Sequence, residues 1–200
     1  MATERDIKEA ARIIKLGGLV VYPTETVYGI AANIRNRIAI LKVFAVKRRP
    51  LDNPLSVAVK DLNQADELVY TNRFVKKLAK VFLPGPLTII LKKKAILPKE
   101  LNAGSDKLGI RIPKNFVALR LIELAGPITA TSANVSGKDA PKNAYEARGQ
   151  LGDKVNFVLD DGKTEIGETS TVVEIFDDGK FKILRKGVVT KKAIKKVLES

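Results

Sequence analysis

Short apolar runs alternate along this chain with longer amphipathic segments, and that alternation restricts the fold more than any other feature. Leu19–Tyr22, Leu55–Val59, Leu87–Leu91, Leu108–Ile112 and Ile128–Ala130 have the length and apolarity of buried strands. Between them stand segments with helical spacing. Ile7, Ala10, Ala11 and Ile14 follow a capping Thr3, Ile38, Leu41 and Val43 to Ala45 follow Asn36, and Phe74, Val75, Leu78 and Phe82 share a face. Leu62–Leu68, Phe116–Leu124 and Asn143–Gln150 also read as helices. Val155–Leu159, Thr171–Ile175 and Phe181–Leu184 then read as clustered strands before a lysine-rich helix over Thr190–Leu198. The pattern predicts an α/β fold, a mixed sheet with helices packed on it. Thr24–Ala31 reads as a loop, and the helix after Asn36 is expected to stop before Lys47-Arg48-Arg49-Pro50. With no repeat and no linker, residues 1–200 are expected to form a single domain.

Two residue types are missing, and their absence narrows the chemistry. The chain has no cysteine and no histidine. Disulfides, thiolate nucleophiles and the commonest metal ligands are excluded, and so is the usual general base near neutral pH. A reaction here must use Lys, Arg, carboxylates, hydroxyls, backbone groups or a metal carried in by a substrate. The net charge of +14 draws anions such as nucleotides or RNA. No apolar run has the length of a membrane span, and the amphipathic N-terminus is not a signal peptide, so a cytoplasmic protein without membrane contact is expected.

Neither a Walker A pattern nor a G-x-G-x-x-G following a strand is present. Three other polar segments follow strand-like runs, where α/β proteins place their sites. Tyr22-Pro23-Thr24-Glu25-Thr26-Val27-Tyr28-Gly29 packs two hydroxyls, a carboxylate and a glycine behind a strand. In Lys47-Arg48-Arg49-Pro50-Leu51-Asp52-Asn53-Pro54-Leu55, extended backbone would aim Lys47 and Arg49 into one cleft and turn Arg48 away. Ile128–Gly137 runs from a strand into small hydroxyl and amide residues, with Ser132 and Asn134 on one side. Small side chains let backbone amides approach an anion.

Taken together, the motifs resemble the YrdC family of threonylcarbamoyl-AMP synthases. They are the K-x-R pair (Lys47, Arg49) with the S-x-N pair (Ser132, Asn134), Y-P-T-E-T-x-Y-G (Tyr22–Gly29), R-P-x-x-N-P-L (Arg49–Leu55), P-G-P-L-T (Pro84–Thr88), G-I-R-I-P (Gly109–Pro113), T-S-A-N-x-S-G (Thr131–Gly137), S-T-V-V (Ser170–Val173) and I-L-R-x-G (Ile183–Gly187). All stand in the family's order. The resemblance implies a YrdC-like twisted mixed sheet with a large positively charged cavity, in the single-domain form. It implies that L-threonine, bicarbonate or CO2, and ATP are condensed to threonylcarbamoyl-AMP and pyrophosphate. A separate threonylcarbamoyl-transfer complex would then modify adenosine at tRNA position 37.

By the same resemblance Lys47, Arg49, Asn53, Ser132, Asn134 and Arg185 surround the nucleotide, with Lys47 and Arg49 as the catalytic pair. Thr26, Arg111, Ala130 and Ser170 surround the threonine. No protein-bound metal is expected, and Mg2+ arrives on the ATP. Many members carry histidine where this chain has Ala58, so Ser56 or a water is expected to make that contact. The rival reading is a non-catalytic module that binds double-stranded RNA or tRNA, which the charge favours. As a secondary partner of an enzyme, tRNA or double-stranded RNA would bind weakly.

Overall fold

The computed structural model describes residues 1–199; Ser200, the last residue of the expected domain, lies outside them. Most helix starts follow from side-chain caps. Thr3 and Asp6 form a reciprocal capping box at α1 (Glu4–Lys15). Asn36, Asp61, Asn72, Asn115 and Asn143 cap α2 (Arg37–Lys47), α3 (Leu62–Asp66), α4 (Arg73–Phe82), α5 (Phe116–Ala125) and α6 (Ala144–Leu151). A short 3-10 turn at Gly152–Lys154 follows α6, and α7 spans Lys191–Glu199.

The strands are β1 (Val20–Tyr22), β2 (Gly29–Ala31), β3 (Ser56–Ala58), β4 (Leu87–Lys92), β5 (Lys107–Arg111), β6 (Ile128–Ala130), β7 (Phe157–Val158), β8 (Thr171–Ile175) and β9 (Phe181–Arg185). Two expectations need correction. Thr24–Ala31 is not all loop, because Gly29–Ala31 returns antiparallel to β1 as β2. Three residues are too few to show a period of two in the sequence. The strands also form two sheets rather than one: β2-β1-β7, and β6-β3-β5-β4-β8-β9. Both contain parallel and antiparallel pairs, so the mixed character is as expected.

Thr129 accounts for the break. Its hydroxyl accepts from the Ala32 N–H at 3.0 Å and donates to the Ile30 carbonyl at 2.8 Å. A side chain thus takes bonds that a continuous ladder would give to backbone. Among the described residues, strand-type backbone pairing across this seam is limited to isolated bridges, Gly29 to Ser132 and Asn33 to Ile128.

The strand period of two sorts residues between layers. In β1, Val20 and Tyr22 pack with Ile7, Ala10 and Ile14 of α1 and Val117, Leu121 and Ile122 of α5. Leu19 and Val21 face the larger core with Ile40, Val43 and Phe44 of α2, Val75 and Leu78 of α4 and Ile194 of α7. Each fully buried aliphatic side chain contributes about 1.5–3 kcal/mol, so these two layers supply most of the cohesion. Among the described residues, no helix is long and apolar enough to cross a membrane.

Candidate active site

In the six-stranded sheet, Val57, Ile89, Leu91, Ile110, Val173 and Ile175 face the larger core. Alternation therefore turns Ser56, Thr88, Ile90, Gly109, Arg111, Val172 and Glu174 to the other face, where they floor a cavity of about 540 Å³. That size suits a small-molecule ligand. Gly109 sits between Ser56 of β3 and Ile90 of β4. A Cβ there would lie 2.4 Å from Ser56 Oγ and 3.0 Å from Ile90 Cδ1, so only glycine keeps this part of the floor flat. Tyr22, Thr24, Val27, Tyr28 and Gly29 form one wall, and Ala130, Thr131 and Ser132 continue it.

The wall after β1 is held from within. Thr24 Oγ1 donates to the Val27 carbonyl at 2.6 Å and lies 2.9 Å from Thr26 Oγ1. Glu25 turns inward and accepts from Arg111 Nη2 at 3.0 Å and from the Lys114 N–H at 3.1 Å. Arg111 also donates to Thr26 Oγ1. The Glu25 and Arg111 side chains are only 2% and 11% exposed. Arg111 Nε is buried and has no partner among the described residues.

The K-x-R segment differs from the extended strip expected of it. The α2 helix runs through Lys47 and ends with Arg48 in the left-handed conformation, at φ 50°. That turn, not alternation along a strand, separates the three cations. Lys47 is buried under the Ser132–Asn134 backbone, Arg48 is exposed, and Arg49 reaches the cavity wall. Lys47 Nζ donates to the Ser132 carbonyl, to the Asn134 carbonyl at 2.8 Å and to Asn134 Oδ1 at 3.4 Å. Ser132 Oγ donates to Asn134 Oδ1, so these two residues do share a side. Arg49 donates from Nε to the Asn53 carbonyl at 2.9 Å, and from Nη2 to Asn53 Oδ1 at 2.7 Å and the Pro54 carbonyl at 2.9 Å. Loop 49–54 is thereby closed on itself.

Burial, reinforced by the nearby Arg49, pushes the Lys47 ammonium down to about 7 from an ordinary 10.5. The folded protein then binds fewer protons at Lys47 than the unfolded chain between those values. Stability rises with pH across that window and is lowest, as far as Lys47 is concerned, below about 7. We expect melting temperature to climb between pH 7 and 10, and Lys47→Met to remove part of the climb. Identical slopes for the two proteins would show that Lys47 does not titrate there.

Arg185 reaches the cavity through an irregularity. Val173 pairs with Ile183, but Val172 pairs with Arg185, so β9 carries one extra residue, Leu184, opposite β8. Ile183 packs against the core. Without the bulge, Arg185 would point the same way; with it, Arg185 joins the cavity lining. It donates from Nη2 to the Ser170 carbonyl at 2.9 Å and to Ser170 Oγ at 3.1 Å. Burial first, then Arg111 and Arg49, hold the Arg185 guanidinium below its ordinary pKa. The charged residues on the cavity wall are Arg49, Lys107, Arg111, Arg185 and Glu174, and Lys107 is paired to Glu174.

Of the positions singled out from sequence, Arg49, Asn53, Ser132 and Arg185, together with Arg111, Ala130 and Ser170, line this cavity. Lys47, Asn134 and Thr26 stand behind the wall and hold it. Ala58 is 1% exposed and packs with Ile128 and Leu121 rather than at the cavity, while Ser56 does line it. Sequence reasoning named Thr88 only as the last residue of P-G-P-L-T, with no role, and passed over Lys107. Both stand on the alternation that fixes the floor, at positions of the same parity as Ile90 and as Gly109 and Arg111.

A family model described as Telomere recombination, Sua5_yciO_yrdC, matches residues 12–187. The chain is 39% identical over 98% of its length to a Pyrococcus abyssi protein named threonylcarbamoyl-AMP synthase, and spans 58% of that relative. It is 42% identical over 86% of its length to a Methanocaldococcus jannaschii protein named putative threonylcarbamoyl-AMP synthase, and spans 81% of it. Among solved structures it is similar to P. abyssi Sua5 complexed with L-threonine: TM-score 0.93, 38% identity, 98% of this chain and 58% of that one. Escherichia coli YciO is similar at TM-score 0.86 and 26% identity, with 96% and 94% covered.

Proposed function

The chain belongs to the Sua5–YciO–YrdC family, and from that premise we propose that it is an L-threonylcarbamoyladenylate synthase. Its substrates are L-threonine, bicarbonate or CO2, and ATP carrying Mg2+, and its products are threonylcarbamoyl-AMP and pyrophosphate. It works in the cytoplasm, and a separate transfer complex uses the product on tRNA position 37. One observation carries this reading. Three arginines, Arg49, Arg111 and Arg185, come from separate loops and strands to one cavity that also holds the Ser170 hydroxyl. That is a positively charged site for two anionic substrates.

The chemistry needs neither the histidine nor the cysteine that the chain lacks. Threonine's amine, as the free base, adds to CO2 and gives up one N–H proton to solvent, which leaves a carbamate. A carbamate oxygen then attacks the α-phosphorus of ATP in line, an O–P bond forms, and the bond to pyrophosphate breaks. The obstacle is repulsion between carbamate and phosphate. At 4 Å two unit charges interact by about 4 kcal/mol at an effective dielectric near 20. Arg49 and Arg185 offset this as charge builds on phosphorus, and Ser132 with Asn53 orients the nucleotide. Lys47 and Asn134 act from behind, holding the Ser132 backbone to the end of α2. Arg111, braced by Glu25 and Thr26, receives the threonine carboxylate, beside Ala130.

The rival reading, an RNA-binding module, has its own observation. Arg73, Lys76, Lys77 and Lys80 of α4, Lys191, Lys192, Lys195 and Lys196 of α7, and Lys180, Lys182 and Lys186 around β9 are all exposed. The helices adjoin each other, and the β8–β9 turn touches the start of α4 through Asn72 and Asp177. α4 and α7 pack on the core face of the sheet, away from the cavity, whereas Lys182 stands opposite Glu174 on the cavity side. Dispersed lysines suit weak, nonspecific phosphate contact.

The test is to supply ATP, threonine and labelled bicarbonate and look for a threonine-dependent adenylate with pyrophosphate. ATP plus threonine should also raise the melting temperature by mass action. RNA binding that falls steeply with salt is compatible with the enzyme. Tight, salt-resistant RNA binding, with no adenylate and no melting shift, would establish the rival.

A further inference from the structure

Thr88 has no role in the site as built so far, yet it occupies the middle of the cavity floor. It is 3% exposed and lies opposite Arg111 on β5 and Val172 on β8. Its Oγ1 is 2.9 Å from Ser170 Oγ. Ser170, 2% exposed, already accepts from Arg185 Nη2 at that same oxygen.

Counting hydrogens shows what the pair offers. Two hydroxyls bring two hydrogens, and their mutual bond uses one of them. Arg185 only donates, so it takes neither. Among the described residues the second hydrogen has no acceptor, and Thr88 Oγ1 has no partner beyond Ser170. Both residues line the cavity, so the pair presents it with one free donor and free acceptor lone pairs.

A carboxylate only accepts and an ammonium only donates; a hydroxyl does both. The ligand group that both accepts from this pair and donates to it is therefore a hydroxyl. Arg111, the directly opposed neighbour, offers the contrasting chemistry: a cation whose Nε is unpartnered. Directly opposed residues on adjacent strands hold their Cβ atoms about 5 Å apart, a spacing on the scale of a small amino acid.

We propose that Thr88, acting with Ser170, reads the side-chain hydroxyl of the amino-acid substrate, while Arg111 takes its carboxylate. This rests on the threonylcarbamoyladenylate synthase reading and adds the residue that sets amino-acid selectivity. A valine, isosteric with threonine but ending in a methyl group, would bury the pair's free hydrogen unpaired. A site built to hydrogen-bond a substrate hydroxyl rejects the analogue lacking it far more strongly than an apolar pocket rejects an isostere.

The test compares kcat/KM for threonine and valine, read as pyrophosphate release, in the wild-type protein, Thr88→Val and Thr88→Ser. Thr88→Val should lower the threonine-to-valine ratio by roughly tenfold or more, mainly through slower threonine turnover. Thr88→Ser, which keeps the hydroxyl, should hold the ratio within about threefold. Melting curves run alongside, and if Thr88→Val does not fold, Thr88→Ala carries the same expectation. An unchanged ratio without the hydroxyl, or an equal loss in Thr88→Ser, would overturn the assignment. Absence of any threonine-dependent pyrophosphate from the wild-type protein would instead sink the parent reading.

Discussion

Arg49→Ala is expected to slow adenylate formation roughly ten- to a hundredfold, while Arg48→Ala stays close to wild type. The two residues are chain neighbours of equal charge, so a general loss of positive field would affect them alike. Their surroundings differ. Arg48 is exposed on the left-handed turn that ends α2. Arg49 lines the cavity, anchored through Asn53 and Pro54. A hydrogen bond to a charged group is worth about 1.5–3 kcal/mol, which sets the size of the rate effect. Because Arg49 also closes loop 49–54, its removal should lower the melting temperature somewhat. Adenylate formation is therefore measured well below the melting midpoint. Equal losses in both variants, or an Arg49→Ala defect that vanishes when only folded protein is counted, would remove loop 49–54 from the phosphate clamp.

The largest stability loss is expected at Glu25→Ala, of about 3–5 kcal/mol. Glu25 and Arg111 form an ion pair almost closed to water. Removing the carboxylate strands a buried guanidinium and leaves the Lys114 N–H without its acceptor. Glu25→Gln keeps one acceptor and should cost distinctly less. Urea unfolding of the three proteins measures the difference. A Glu25→Ala loss below about 1 kcal/mol would mean that water reaches Arg111 freely and that the pair is not the brace described here.

The fold was legible where local rules decide it. Thr3, Asn36 and Asn143 announced helix starts, and Leu87–Leu91 and Thr171–Ile175 announced strands within a residue or so. What local rules cannot register was lost. β2 is too short to carry a period, and the break between the sheets depends on the Thr129 hydroxyl, about a hundred residues from its partners Ile30 and Ala32. Seven of the ten named site positions reach the cavity lining, because ordered motifs marked the right loops. The geometry within those loops was less accessible. Lys47 and Arg49 were expected to point together, but Lys47 is the last residue of a helix and Arg49 lies beyond a left-handed turn. Thr88 was legible only as the end of a motif and its role was not, because its partner, Ser170, stands 82 residues away in the chain.

The extra residue on β9 has a consequence for how this sequence can drift. Leu184 is half exposed and lines the cavity next to Arg185. What matters is the pairing, since the guanidinium meets the cavity because Arg185 stands opposite Val172. Loss of the single codon would set the arginine directly after Ile183 and opposite Val172 in an unbroken ladder, which keeps the guanidinium on the cavity side. Over evolutionary time the strand can therefore shed position 184, whereas straightening the bulge with every residue kept would turn the guanidinium into the aliphatic layer under α4 and α7.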